Sequence, residues 1–233
     1  MRLVHQSESL AVFDDVLESG EMNRLREFQR EQEYSFVQTG VWYQTYDLCD
    51  GNPLESAAVV SGAVSGAEPG SHYPTGSAVD LFLERLDEVL EREGLPVGRR
   101  AEDWLAYSCR SFLYPMGTAL GWHDDRDAVA NRTGAYTFYT HPQWELSWGG
   151  ELLIQEPTGL DPRSSSLRNA GLSESIFAQG VGKVVFPRPN RLVLIRQGTW
   201  HAIGEVRRAA GDRVRCSLAG FFIGGPRVES AGS

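Results

Sequence analysis

Seven short segments in the second half of the chain constrain the fold more than any other feature. Each is rich in β-branched and aromatic residues and is bounded by turn residues, which is typical of β-strands. The segments span residues 104–114, 134–140, 149–156, 183–187, 191–197, 200–206 and 213–223. Many short strands after a partly helical region predict a mainly β protein of the α+β type. We expect an antiparallel double-sheet barrel with helices against one face.

The first hundred residues predict elements that support this barrel. Leu10–Phe13 and Val41–Tyr46 have the composition of strands. Met22–Arg30 is typical of a helix with one polar side. Residues 49–76 are rich in Gly, Ser, Pro and Ala without any period, and they predict a loop.

A second helix is predicted directly after this loop. Ser77 is its expected N-cap, and Asp80 three residues later resembles the acidic partner of a capping box. One apolar stripe at helical spacing indicates the face that packs against the barrel. Its members are Val79, Phe82, Leu83, Leu86 and Leu90. We expect the helix to end at Gly94.

The length of 233 residues suits one domain with a substantial core. We predict a single domain over 1–233, in which 1–100 form a supporting region and 101–226 form the barrel core. Residues 157–180 are a long polar stretch without a strand pattern, and such a loop in a compact domain is usually functional or disordered. We expect 157–180 to form a lid over the active site.

Charge and cysteine content exclude several classes of function. The net charge is −9 and the sequence contains no basic stripe that could follow phosphates, so nucleic acid is not an expected partner. The sequence contains no run of 18 apolar residues, and its first residues turn polar too soon for a signal peptide, so no membrane partner is expected. Three widely spaced cysteines, Cys49, Cys109 and Cys216, argue against a disulfide framework and favour a cytoplasmic location.

The segment Leu120–Asp125 contains the first candidate metal ligands. In an extended strand His123 and Asp125 would point the same way and could share one metal ion. A third ligand has to come from elsewhere, and His201 is the best candidate. Two histidines and one carboxylate, with the remaining positions open, form the facial triad of non-haem Fe(II) oxygenases.

The other three histidines are interpreted as structural. His5 lies in the N-terminal tail, His72 lies in the polar loop, and His141 precedes Pro142 at a strand end. Each of these positions favours the surface or a turn over metal ligation.

The last predicted strand offers a cation to a bound anion. Because side chains alternate along a strand, Arg213, Arg215 and Ser217 share the face opposite the apolar one. A buried arginine is costly unless it is paired, and no acid of this strand can pair it. A bound carboxylate gripped bidentately would be the natural partner. The alternative is that Arg213 or Arg215 lies in solvent at the rim of the barrel.

Between about Tyr107 and Phe222, half of the chain, four segments resemble a known family. They are Tyr139–Trp144, Gly149–Leu152, Pro187–Leu194 and Arg215–Leu218. These segments are similar to the Tyr-Leu-Asn-x-x-Trp, Gly-Gly-x-Leu, Pro-x-x-Asn-Arg-Leu-Val and Arg-x-Ser segments of the prolyl-4-hydroxylase-like group of 2-oxoglutarate/Fe(II)-dependent dioxygenases. The resemblance implies a double-stranded β-helix, which is a jelly-roll barrel of the cupin type.

The resemblance also implies a set of iron ligands and a cosubstrate anchor. His123, Asp125 and His201 would bind Fe(II). Arg215 would bind the far carboxylate of 2-oxoglutarate. Tyr139 or Ser217 would assist Arg215, and Tyr114 stands where the family often has a second tyrosine that contacts the cosubstrate. Arg213 is the alternative anchor. His141 replaces the asparagine that the family usually has, and no role is assigned to it.

The reaction that the resemblance implies is hydroxylation, or another oxidation, of an unactivated C–H bond with Fe(II), 2-oxoglutarate and O2, releasing succinate and CO2. Asp125 favours hydroxylation, because related halogenases have a small residue at this position. Phe221 stands where nucleic-acid demethylases of this fold have a second arginine, which argues against a nucleic-acid substrate. We expect a small molecule such as an amino acid, a peptide or a biosynthetic intermediate. The alternatives are prolyl or peptidyl hydroxylation of a protein, and a non-catalytic cupin-like barrel that binds a metal or ligand.

Overall fold

Fourteen β-strands and two α-helices form the part of the chain that the computed structural model describes, residues 1–37, 53–62, 70–125, 131–155 and 180–224. The strands are β1 (Arg2–Gln6), β2 (Leu10–Asp14), β3 (Ser35–Phe36), β4 (Leu54–Glu55), β5 (Ala58–Ser61), β6 (Gly70–His72), β7 (Ala106–Tyr114), β8 (Leu120–His123), β9 (Arg132–Tyr139), β10 (Leu152–Ile154), β11 (Lys183–Val185), β12 (Arg191–Arg196), β13 (His201–Ile203) and β14 (Arg215–Ile223). The helices are α1 (Ser19–Glu31) and α2 (Val79–Leu90), and short 3-10 turns cover Leu146–Trp148 and Arg208–Ala210.

Two sheets pack face to face. The larger has the order β1-β2-β12-β9-β14-β7-β4-β3, with β5 and β6 joined to it beside β7, and the smaller has the order β11-β10-β13-β8. Leu152 and Ile154 of the smaller sheet share one buried cluster with Val193 and Ile195 of the larger sheet. All pairs of described strands are antiparallel except β5 with β6. The predicted mainly β architecture with flanking helices is confirmed.

Both α-helices cover the other face of the larger sheet. Phe82 of α2 stacks on Phe138 of β9 with ring centroids 4.5 Å apart, and the whole predicted stripe of α2 is buried. Each such side chain contributes roughly 2 kcal/mol of stability by leaving water. Because side chains alternate along β9 and β14, Phe138 and Leu218 join this core, whereas Tyr139 and Ser217 face the smaller sheet.

The start of α2 differs from the prediction. The helix begins at Val79, and Ser77 makes no capping hydrogen bond to it. The carboxylate of Asp80 instead accepts hydrogen bonds from the backbone N–H and the hydroxyl of Thr75, at 3.0 and 2.9 Å. Asp80 therefore holds the preceding loop against the first turn, which is a local side-chain bond of the kind that competes with capping.

Six strands lie outside the predicted strand segments, and one of them is β8, for which the sequence analysis only assumed an extended chain around His123. β1 includes His5, so the expected N-terminal tail is a strand paired with β2. β3 follows α1, and β4, β5 and β6 lie inside the predicted loop 49–76. Both β4 and β5 pair with β7, which lies about fifty residues further along the chain. These strands are set by main-chain pairing with distant partners, and such pairing leaves no local period in the sequence.

The predicted barrel strands lie where expected but several are shorter. β10 covers only Leu152–Ile154 because Gly149 and Gly150 both have positive φ angles, 76° and 70°, which interrupt an extended chain. The predicted strand over Val41–Tyr46 and nearly all of the predicted lid over 157–180 lie outside the described residues. Within the described ranges, no helix combines the length and the apolar character needed to cross a membrane.

Candidate active site

His123 and His201 come together because β8 and β13 are adjacent in the smaller sheet. The two residues are direct partners in the antiparallel pairing of these strands. Their ring centroids are 4.1 Å apart, and both side chains are buried. The pairing of β8 with β13 thus brings together two histidines that are 78 positions apart in the sequence.

Asp125 reaches the same place by a turn and not by an extended strand. β8 ends at His123, and Asp125 has a φ angle of 57°. Aspartate adopts this left-handed conformation more readily than most residues. Its carboxylate lies 3.4 Å from Nε2 of His123 and 3.2 Å from Nε2 of His201. The expectation that an extended strand aligns His123 with Asp125 was therefore wrong, although the residues do come together.

Backbone carbonyls orient both imidazole rings. Nδ1 of His123 lies 2.8 Å from the carbonyl oxygen of Gly121, and Nδ1 of His201 lies 2.8 Å from that of Thr199. An Nδ1–H donated to each carbonyl places the lone pair of the neutral ring on Nε2, and both Nε2 atoms face Asp125. The three ligand atoms lie within 4.8 Å of one another. This donor set fits a divalent metal such as Fe(II).

Electrostatics favour the deprotonated carboxylate. Burial raises the pKa of Asp125, but the nearby His201 and His123 outweigh this and hold its pKa well below the usual range. Burial, together with the charge of His201, lowers the pKa of His123 to about 4. Burial also disfavours protonation of His201, yet the adjacent Asp125 raises its pKa overall. A metal ion replaces that proton when it binds, since ligands bind metal in their deprotonated forms.

Arg215 lies fully buried at the start of β14. Its Nε donates a hydrogen bond to the carbonyl of Gly150 at 3.0 Å, and its Cζ lies 4.8 and 4.9 Å from the ring centroids of Tyr114 and Tyr139. Both terminal nitrogens, Nη1 and Nη2, are buried and have no hydrogen-bond partner among the described residues. A charge in this state fits a bound carboxylate ligand, since the described residues supply none to the two terminal nitrogens. Arg213, by contrast, is exposed, and its Cζ lies 4.6 Å from the ring centroid of Trp148.

The three residues predicted to assist Arg215 surround it. Tyr114 is the strand partner of Arg215, and Ser217 is the strand partner of Tyr139. Burial raises the pKa of Tyr114 to about 12, with Arg215 opposing the shift, so its hydroxyl stays protonated. The hydroxyl of Tyr139 is buried without a hydrogen-bond partner among the described residues. It is therefore available to a ligand held by Arg215.

One cavity joins these two groups of residues. The triad, Tyr114, Arg215 and Ser217 line it together with apolar side chains of both sheets. The apolar lining residues include Phe112, Leu120, Leu152, Ile195, Ile203 and Phe221.

Comparison with known proteins assigns the family. Residues 109–223 match the family model described as "2OG-Fe(II) oxygenase superfamily". The chain contains a 2OG-Fe(II) oxygenase domain. The oxygenases of this family use Fe(II), 2-oxoglutarate and O2, and the clustered His-Asp-His residues fit iron binding. The family match supports an Fe(II)/2-oxoglutarate-dependent dioxygenase over the alternative of a non-catalytic barrel.

Solved structures share the fold of this oxygenase over nearly its whole length. A prolyl-4-hydroxylase from Pseudomonas putida is 18% identical with a TM-score of 0.61, covering 94% of each chain. A prolyl hydroxylase from Trichoplax adhaerens, solved with a peptide fragment of hypoxia inducible factor, is 14% identical with a TM-score of 0.59, covering 93% of this chain and 84% of its own. A viral collagen prolyl hydroxylase from Paramecium Bursaria Chlorella virus-1, solved with 2-oxoglutarate, is 14% identical with a TM-score of 0.51, covering 93% and 97%. No curated protein matches the chain. These similarities support the double-stranded β-helix fold.

His141 of the oxygenase is buried, so the expectation of a surface or turn position was wrong. Its Nε2 lies 2.7 Å from the carbonyl oxygen of Pro187, and its Nδ1 lies 3.2 Å from that of Cys216. Burial lowers the pKa of His141 to about 4, and the charge of Arg215 contributes to the shift. The neutral ring carries a single N–H and therefore donates to only one of these two carbonyls. The His141 ring thus lies between Pro187 and Cys216, the residue that follows Arg215.

Arg132 is the residue near the cavity of the oxygenase that the sequence analysis missed. Its Cζ lies 3.7 Å from the ring centroid of Phe221, which lines the cavity. Arg132 begins β9, and a shift in the pairing of β9 with β14 near Phe222 brings it beside Phe221. A pairing irregularity of this kind gives no signal in the sequence.

Proposed function

We propose that this oxygenase hydroxylates an unactivated C–H bond of a small molecule such as an amino acid, a peptide or a biosynthetic intermediate. 2-Oxoglutarate and O2 are consumed in the usual way of the family, with Fe(II) as the retained cofactor and with release of succinate and CO2. One observation carries the proposal. A potential metal triad and a buried arginine, whose terminal nitrogens lack partners among the described residues, line the same cavity.

In this proposal His123, Asp125 and His201 hold Fe(II), with the two Nδ1 contacts to backbone carbonyls fixing the ring orientations. Arg215 receives the far carboxylate of 2-oxoglutarate. Bound Fe(II) and 2-oxoglutarate together supply the O2-dependent removal of hydrogen from the substrate.

The remaining residues around Arg215 orient the cosubstrate and exclude water. Tyr139 and Tyr114 both contact the guanidinium and offer protonated hydroxyls, and Ser217 lies on the same face of β14 as Arg215. Apolar side chains such as Phe112 and Ile203 complete a lining with little polar surface. A dry lining strengthens the charge interaction between Arg215 and a carboxylate and limits side reactions.

Prolyl or peptidyl hydroxylation of a protein is the second candidate. The similarity to three prolyl hydroxylases favours it, and each of these similarities covers 93% or 94% of this chain. We prefer a small molecule because, within the described residues, the chain consists of two sheets and their covering helices, without a separate module that would bind a protein.

The first test is anaerobic addition of Fe(II) and 2-oxoglutarate to the purified protein. We expect a weak visible charge-transfer band in the wild type. Asp125→Ala should lose the band while its circular dichroism spectrum stays unchanged, since one of three ligands is removed. His72→Ala, which changes an exposed histidine of β6, is the matched control and should keep the band. A normal band in Asp125→Ala would reject the triad.

The second test identifies the class of substrate. Succinate release above the substrate-free level should be measured with free amino acids, with short peptides and with proline-containing proteins. Stimulation by free amino acids or short peptides supports the small-molecule proposal. Stimulation by the intact proteins alone would replace it with the second candidate.

A further inference from the structure

Gly150 lies directly against the side chain of Arg215, although the two residues come from opposite sheets. Gly150 precedes β10 of the smaller sheet, and Arg215 begins β14 of the larger one. The carbonyl of Gly150 accepts the hydrogen bond from Nε of Arg215 at 3.0 Å. A Cβ atom added to Gly150 would lie 2.8 Å from Cδ of Arg215 and 3.5 Å from its Nε. Carbon atoms pack best at about 3.5–4.0 Å, so any side chain at this position would overlap the arginine.

The backbone around Gly150 is held by main-chain hydrogen bonds to the residues that follow β13. The N–H of Gly150 donates to the carbonyl of Glu205 at 3.1 Å, and the N–H of Gly204 donates to the carbonyl of Glu151 at 2.8 Å. Moving this backbone away from Arg215 would break buried hydrogen bonds of the main chain, which is costly. An added Cβ atom would therefore displace the arginine.

The contacts of Arg215 leave the terminal edge of its guanidinium for a ligand. Cζ lies 4.8 and 4.9 Å from the ring centroids of Tyr114 and Tyr139, and Nε is bonded to Gly150. Nη1 and Nη2 are buried and have no hydrogen-bond partner among the described residues. A guanidinium forms two parallel hydrogen bonds to a carboxylate only when its planar fork points at that carboxylate. The carbonyl of Gly150 thus helps to set the direction of Nη1 and Nη2.

We propose that Gly150 is a positioning residue for the cosubstrate. Its carbonyl holds Nε of Arg215, and the absence of a side chain leaves room for the stem of the arginine, so that Nη1 and Nη2 meet the far carboxylate of 2-oxoglutarate. The proposal rests on the proposed function and adds a residue to its cosubstrate site. The sequence analysis used Gly149–Leu152 only as a segment that resembles the family and assigned no role to Gly150.

The experiment compares two cosubstrate probes that differ only at the far end. 2-Oxopentanoate has the same chain length as 2-oxoglutarate but lacks the far carboxylate, so it gains nothing from Arg215. Each probe is titrated without O2 into protein loaded with Fe(II), and the visible band or calorimetry gives the Kd. In Gly150→Ala we expect the Kd of 2-oxoglutarate to rise ~10-fold, because the fork no longer meets the carboxylate squarely. The Kd of 2-oxopentanoate should stay within about twofold of the wild-type value.

Two further variants separate the contact with Arg215 from the backbone cost of replacing a glycine. Gly76 has a φ angle of 77°, close to the 70° of Gly150, but an added Cβ atom there meets no atom within 4 Å. Gly76→Ala therefore introduces similar backbone strain away from the arginine and should leave both Kd values unchanged. Gly150→Asn brings the same Cβ atom toward Arg215, and asparagine adopts a positive φ angle more readily than alanine. It should reproduce the selective loss of 2-oxoglutarate binding with a smaller loss of stability.

A double substitution tests whether Gly150 acts through Arg215. In the Arg215→Ala background the stem and Nε are absent, so adding Gly150→Ala should change the Kd of 2-oxoglutarate by less than about twofold. A full additional loss in this background would overturn the proposal. An unchanged Kd of 2-oxoglutarate in both Gly150 variants would overturn it as well, and so would an equal loss for the two probes, which would indicate a general disturbance of the site.

Failure of the proposed function gives a different result. If wild-type protein bound 2-oxopentanoate as tightly as 2-oxoglutarate, Arg215 would not be the anchor and the proposed function would lose its main support. If the wild type preferred 2-oxoglutarate and both Gly150 variants kept that preference, only the role of Gly150 would be rejected.

Discussion

The terminal nitrogens of Arg215 are buried and lack a hydrogen-bond partner among the described residues, so the guanidinium is suited to receive a ligand. The sequence alone identified this arginine as a candidate anchor from the alternation of side chains in β14. It left Arg213 open as an alternative, and the structure separates the two, since only Arg215 lines the cavity. The sequence indicated an arginine on a strand that has no acidic residue to pair with it. Choosing between Arg213 and Arg215 required knowing that β14 begins at Arg215.

Replacing Arg215 should weaken binding of 2-oxoglutarate strongly. We expect Arg215→Ala to cost ~2–5 kcal/mol of binding free energy, about 30-fold or more in Kd, which is typical for truncation of a desolvated charge pair. Arg213→Ala changes an exposed arginine two residues away and should leave the Kd within about twofold. Anaerobic titration of the visible band with 2-oxoglutarate measures both values. Equal effects of the two substitutions would remove Arg215 from its proposed role.

His141 should make the fold sensitive to acid. Its pKa is about 4 in the folded protein and 6.5 for an ordinary histidine, so the unfolded chain takes up the proton first as pH falls. The contribution of the neutral imidazole to stability is complete above pH ~6.5 and decreases toward pH 4, by up to about 3 kcal/mol. Urea unfolding of the wild type at pH 7 and pH 5 should show this decrease.

The control for His141 is its replacement by asparagine, the residue that the family usually has at this position. In His141→Asn the difference in unfolding free energy between pH 7 and pH 5 should be smaller than in the wild type, because asparagine does not titrate. His72→Asn removes an exposed histidine and should keep the wild-type difference. An identical pH dependence in His141→Asn and the wild type would show that other groups cause the acid sensitivity.

At the scale of elements, Asp14 links two strands of the larger sheet through buried charge. It is 2% exposed, and it accepts hydrogen bonds from Nε and Nη2 of Arg191 at 2.7 and 3.1 Å, as well as from Arg188. Asp14 and Arg191 are also direct partners in the pairing of β2 with β12. Burial raises the pKa of Asp14, but the two arginines outweigh it and hold the pKa below its usual value.

Asp14→Asn should destabilise the protein by ~3 kcal/mol, because it leaves a partly buried arginine without its charge partner. The stabilisation by Asp14 is present above the ordinary aspartate pKa near 3.8 and is lost as pH falls through the lower folded value. Asp15→Asn is the control, since Asp15 also contacts Arg188, at 3.0 Å, but is exposed. Its cost should be below about 1 kcal/mol, as for surface ion pairs. Urea unfolding at pH 7 measures both, and equal costs would contradict the role of burial.

The elements that the sequence predicted well are those with a strong local pattern. The apolar stripe of α2 and the strands β7, β9, β12 and β14 have periodic or β-branched sequences of sufficient length. The short strands β4, β5 and β6 and the strand β1 were missed, because their existence depends on a partner elsewhere in the chain. The conformation of Asp125 was likewise not predictable from the sequence. Its φ angle is left-handed because the chain turns after β8 ends at His123.

At the scale of the whole molecule, the candidate site was predictable because its chemistry demands a small set of residue types. Two histidines and an aspartate suggested the triad, and the family resemblance added the arginine and its tyrosines. The position of Arg132 was not predictable, because it arises from a pairing shift between β9 and β14.

The two halves of the proposed site belong to different sheets. His123 and His201 lie on the smaller sheet, whereas Arg215 lies on the larger one. The distance between the metal triad and Arg215 therefore depends on the distance between the two sheets. Ile154 and Val193 pack between the sheets and do not line the cavity. Substitutions of buried apolar side chains between the sheets could therefore adapt this distance to another diacid while the triad and Arg215 stay unchanged.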